Sequence, residues 1–231
     1  MLRSFAVAIA FAAILGLPAV AQAKTAHATY FGGHVISHVE VVPVFWGKSV
    51  ASDVVSGAPA FYAKMVDSPY MDWLGEYDTA GATAADGMPG SNQHIGRGTT
   101  LPPVTITPSI TSGTLSDAAI QKELLAQIAS GKLPQPKVDA QGGVRTVYML
   151  SFPTAVKVKD FGGADVCSGA CAYHGTVKVP GIDAGVPYGV MPDCSKVSSQ
   201  CNMSSVFETF TADASHELVE AITDPEGGLA T

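Results

Sequence analysis

Cysteine is missing from the first 166 residues, and beyond residue 23 no apolar run is long enough to span a bilayer. Basic residues are also scarce: 13 Lys and Arg stand against 20 Asp and Glu, for a formal net charge of −7. They form no cluster, which argues against a nucleic-acid partner, since phosphate binding needs concentrated positive charge. Only 14% of residues are charged, while Gly, Pro, Ser and Thr are abundant. That balance describes a compact extracellular protein with many turns rather than a disordered tail. No internal repeat or long linker occurs. A G-x-S-x-G elbow is also missing, which leaves Ser-His-Asp catalysis with little support.

The N-terminus sets the expected compartment. Arg3 precedes an apolar run from Phe5 to Val20, followed by Ala21-Gln22-Ala23, the pattern of a cleaved secretory signal. Gly16, Pro18 and the polar sequence beyond weigh against a retained membrane anchor. Cleavage after Ala23 removes Arg3 alone, leaving 12 basic against 20 acidic residues, or −8. Residues 24–231 are then expected to form one secreted or periplasmic domain with a sizeable core and no membrane span. Nothing in the sequence specifies an oligomeric state.

Four cysteines follow late: Cys167, Cys171, Cys194 and Cys201. An even count in an exported chain points to disulfides. Loop-closure entropy favours the short pairings Cys167–Cys171 and Cys194–Cys201. A zinc site of four thiolates is the rival arrangement.

Periodicity sketches an α/β or α+β fold with a mixed sheet and flanking helices. Residues 34–46, HVISHVEVVPVFW, form the first expected strand, with His34 and His38 on one face as exposed side chains or a metal pair. Ala51–Tyr77 suggests a helix interrupted at Ser68-Pro69. Gly81–Gly98 suggests a long loop, in which His94 and Arg97 are candidates for substrate contact or simple surface residues. Leu101–Ile110 suggests an edge strand, and Ser116 caps a helix ending at Gly131. Arg145–Phe152 is a buried strand, and shorter strands are expected around Ala172–Val179 and Tyr188–Met191. A final helix should run from about Ser205 to Thr223.

That helix carries ASHELVEAITDP. On a helix, Phe207, Phe210, Ala214, Leu218 and Ala221 make an apolar stripe, while Thr209, Asp213, His216 and Glu220 make a polar one. His216 and Glu220 can thus address a common atom, as the two histidines of H-E-x-x-H do. Glu217 takes the position that holds the general base in zinc hydrolases. Zinc accepts carboxylate in place of imidazole, although a second carboxylate makes hard cations more competitive. A solvated i,i+4 His-Glu pair is the bland alternative. Thr223-Asp224-Pro225 ends the helix, and Asp224 is also placed to orient a ligand.

Taken together, Phe45-Trp46-Gly47, the Cys167-x-x-x-Cys171 run before His174-Gly175, Tyr188–Cys194 and the last helix resemble the EXORDIUM or phosphate-induced-protein family of secreted proteins. Its bacterial members resemble this chain more closely. The similarity spans most of the mature chain. In those relatives the helix is followed by an aromatic stretch and an acidic run, so the resemblance implies that residues 24–231 lack a C-terminal segment and a third ligand that it would supply. Within this chain the resemblance makes His174 the candidate third donor. Plant members largely lack the His-Glu pair and are associated with the extracellular matrix. Two functions are therefore expected. The first is a secreted zinc-dependent hydrolase, peptidase-like, with His216 and Glu220 as ligands, Glu217 as base and extracellular peptide as substrate. The second is a non-catalytic protein that binds cell-wall material.

Overall fold

The structure is a computed structural model that describes residues 29–197 and 200–226. The expected signal segment, residues 1–23, lies outside the described residues. No described helix is long and apolar enough to cross a membrane.

The first strand, β1 (His38–Phe45), is buried along nearly its whole length, as its β-branched content requires of a central strand. Alternation sends Val39, Val41 and Phe45 into one core and Val42, Val44 and Trp46 into another. Helices α1 (Ser52–Val66) and α2 (Pro69–Trp73) follow, separated at Ser68-Pro69 as expected, and a 3-10 turn covers Leu74–Tyr77. Ser68 accepts the Tyr70 N–H, which starts α2.

Two short strands, β2 (Gly96–Thr100) and β3 (Val104–Thr105), pair with β1 in parallel. The expected Leu101–Ile110 strand is thus reduced to Val104–Thr105, and part of the glycine-rich segment read as a loop is strand. A Cβ at Gly98 would strike the Val39 carbonyl, so glycine here permits close strand approach. Pro43 cannot donate to a ladder. It lies at the gap between these partners, since Val41 faces Thr100 and Val44 faces Val104.

A small parallel pair, β4 (Gly113–Ser116) with β6 (Val156–Lys159), is not visible in the hydrophobic pattern. Helix α3 (Asp117–Ala129) begins where Ser116 accepts the Ala119 N–H and is followed by Gly131 at φ 72°. Strands β5 (Thr146–Ser151), β7 (Tyr173–Val177) and β8 (Val186–Met191) complete the main sheet, whose order is β2-β1-β5-β8-β7. Every pairing is parallel except β7 with β8. The last helix is α4 (Val206–Thr223), capped by Ser205. Helices α1 and α4 cover one sheet face, α3 covers the other, and the single α/β domain with a mixed sheet is as expected.

The cysteines pair differently from expectation: Cys167 bonds Cys194 and Cys171 bonds Cys201. The reason is the β7–β8 hairpin. Because Tyr173 faces Val190, the chain before β7 runs beside the chain after β8. Hydrogen bonding has already closed the long loops, so entropy no longer favours the short ones.

Candidate metal centre

The α4 stripe forms as its spacing dictates. Phe210, Ala214, Leu218 and Ala221 are buried in the core, with Phe207 packed against them. One turn out of phase, Glu217 is also buried, at 4% exposure, beneath the face of β7. Across from it stands His174, second residue of β7. Tyr173 points into the α3-side core, so alternation sends His174 toward α4.

Three side chains converge there. His174 Nδ1 lies 3.5 Å from Glu217 Oε2 and 3.3 Å from Glu220 Oε2. The donor atoms of His174, Glu217 and Glu220 all fall within 4.8 Å of one another, the group among the described residues able to hold a metal. A tetrahedral ion with bonds of about 2.05 Å spaces its donors by about 3.3 Å, which these separations match.

His174 Nε2 approaches the Asp224 carbonyl at 3.2 Å. A carbonyl only accepts, so the ring hydrogen sits on Nε2, and a neutral His174 presents a bare Nδ1 lone pair to two carboxylates. Acceptors facing acceptors require a cation between them, either a proton or a metal ion. Burial opposes a charged imidazole, yet the Glu217 carboxylate, the Asp224 carbonyl and the Glu220 charge outweigh it and raise the His174 pKa. Glu217 Oε2 is buried, and the group that faces it is His174 Nδ1, at 3.5 Å. A buried carboxylate oxygen facing an imidazole nitrogen is a donor set that a divalent cation can take.

His216 lies apart from this group. Its side chain is 67% exposed and meets Glu220 Oε1 at 3.1 Å, so the two Glu220 oxygens address two different imidazoles. Of the four residues expected from sequence, three converge and His216 reaches them only through Glu220. Asp213, one turn before Glu217, has its carboxyl pushed up to about 6 by burial, with the Glu217 charge adding and His216 opposing. Asp224 meets His174 Nε2 through its backbone carbonyl, while its own N–H closes α4 on the Glu220 carbonyl.

The other histidine candidates are engaged elsewhere. His34 meets the Gln141 carbonyl and His38 meets the Arg97 carbonyl, so they make no metal pair. His94 pairs with Asp78 at 2.7 Å, and Arg97 forks onto Asp72 at 2.8 and 3.1 Å. The expected Tyr188–Met191 strand is interior: β8 lies between β5 and β7, and β7 forms the sheet edge on this side. Sequence spacing alone did not show that Glu217 turns inward. The signal was its place directly before Leu218, on the flank of the apolar stripe.

Comparisons with protein-family models, curated proteins and solved structures return no match to this chain.

Proposed function

We propose that this protein is a divalent-metal-dependent hydrolase, peptidase-like, with zinc held by His174, Glu217 and Glu220. The observation that carries the reading is the convergence of His174 Nδ1 with the buried Glu217 carboxylate and with Glu220. When bound, zinc at such a donor set supplies Lewis acidity and lowers the pKa of a coordinated water toward about 7.

This reading gives Glu217 a ligand's role rather than the expected base's role. Its burial and its direction toward His174 support that change. The exposed group left to accept a proton is His216, oriented by Glu220 Oε1. His174 stands on β7, whose outer edge has no strand partner among the described residues. An extended peptide added along that edge would bring its backbone past the metal group, the recognition mode of β-augmentation.

The test is hydrolysis of an unstructured peptide mixture by protein stripped of metal and then resupplied with zinc. Activity that disappears on stripping and returns with zinc supports the reading. Zinc binding without hydrolysis would favour the non-catalytic extracellular alternative.

A further inference from the structure

A second site lies at the other end of α4. A cavity of about 220 Å³ opens where β5 and β8 end and where α1 and α4 begin. Its place follows from the topology. The chain leaving β1 returns on one side as β2, and the chain leaving β5 returns on the opposite side as β8. Open α/β sheets bind ligands outside the carboxyl ends of strands at such a reversal. From Phe210 on the cavity wall to Glu217 is about two helical turns, roughly 11 Å, so the cavity is distinct from the metal group.

The walls combine apolar bulk with free acceptors. Val54, Met191 and Phe210 supply apolar surface. Ser151 shares the sheet face of Val147 and Met149, so its hydroxyl points toward the cavity; the residue is 3% exposed, and no described group bonds its side chain. Asp193 spends one oxygen on the Ser195 N–H, and no described residue bonds the other. Asn202 donates its amide to the Val197 carbonyl, and no described residue bonds its oxygen.

Charge decides what these acceptors would take. Among the described residues, no Lys, Arg or His lines the cavity and Asp193 makes no ion pair. The two helix N-termini carry about half a positive charge each. Each is offset by a full carboxylate in its first turn, Asp53 in α1 and Glu208 in α4. The one formal charge on the described lining residues is thus the negative charge of Asp193. Both disulfides fix its outer wall, because Cys194 lines the cavity and Cys201 precedes Asn202.

We propose that this cavity binds a small organic ammonium with an apolar body, the ammonium on Asp193, Ser151 and Asn202. An apolar cavity of about 150 Å³ accepts benzene, so this volume suits one ring with a short arm.

The test titrates the full disulfide-bonded protein at pH 7 with 2-phenylethylamine, 2-phenylethanol and phenylacetate, followed by calorimetry. The amine should bind at least about tenfold more tightly than the alcohol, and phenylacetate more weakly still. Asp193→Asn should bring amine and alcohol to within about threefold while leaving the alcohol's affinity in place. Ser151→Ala should weaken the amine and keep the native circular dichroism spectrum. Amine and alcohol binding equally to the wild type, or no amine binding up to about 10 mM, would overturn the proposal without needing any variant to fold. Full amine preference in a folded Asp193→Asn protein would overturn it as well.

Discussion

The two ring nitrogens of His174 have different obligations: Nε2 gives its hydrogen to the Asp224 carbonyl, and Nδ1 faces carboxylate oxygen. That asymmetry makes the residue a fixed donor rather than a free surface histidine. His216 is its opposite, exposed and held only by Glu220. His216→Ala should therefore keep zinc affinity within about threefold and lower hydrolysis by about 10²-fold or more, the range lost with a general base. Kinetics beside a zinc titration checks both halves; equal loss of metal and activity would make His216 a ligand.

A second residue-scale consequence involves tyrosine. Tyr173 and Tyr188 both donate to Asp117 Oδ1, at 2.9 and 2.5 Å. Burial first, then the Asp117 carboxylate, holds both phenols well above the usual value of 10.0. A raised folded pKa means the contribution is intact below pH 10 and is lost as the unfolded phenols ionise above it. Denaturant midpoints should hold to about pH 10 and then fall, and Tyr188→Phe should make the fall shallower. An unchanged slope would contradict this.

At the scale of elements, α1 and α4 meet where Gly57 leaves room for the Phe207 ring, onto which a Cβ would fall. Alanine gains up to about 1 kcal/mol in helix propensity, whereas overpacking costs about 1–3 kcal/mol. Gly57→Ala should therefore destabilise the fold in chemical denaturation, and a stabilised variant would show that the helices separate freely. The disulfides close loops with separations of 27 and 30 residues. Loops of that length restrict the unfolded chain by about 3–4 kcal/mol, against roughly 2 kcal/mol for a four-residue loop. Replacing Cys171 and Cys201 together by alanine should cost about 3 kcal/mol in the denaturation midpoint. A cost under about 1 kcal/mol would show that the hairpin alone holds these segments.

The elements differ in how legible they were. Strands β1 and β5 and helices α3 and α4 declared themselves through long periodic or β-branched runs and through serine caps. Strand β2 did not, because GRGTT has the composition of a loop and is a strand only where Val39 lies against Gly98. The cysteine pairing escaped for a similar reason: it depends on the β7–β8 register, which loop length does not encode.

At the scale of the whole molecule, one sheet serves two ends of one helix. The His174–Glu217–Glu220 group sits where β7 crosses the later turns of α4, and the cavity sits where the parallel strands end at its first turn. Helical spacing announced that His216, Glu217 and Glu220 lie close together. Which two of them face His174 was settled by the pairing of β7 with β8, a long-range fact that the spacing does not contain.

The central claim is that His174, Glu217 and Glu220 together hold a metal ion. Isothermal titration of zinc into the metal-stripped, disulfide-bonded protein tests it most directly, with His174→Ala and Glu217→Gln alongside. One zinc per chain is expected for the wild type. Each variant should lose more than about 100-fold in affinity, beyond the roughly 10–100-fold typical of an outer-shell partner. Wild-type affinity in Glu217→Gln would return Glu217 to the role of base, and zinc binding that survives His174→Ala unchanged would contradict the site itself.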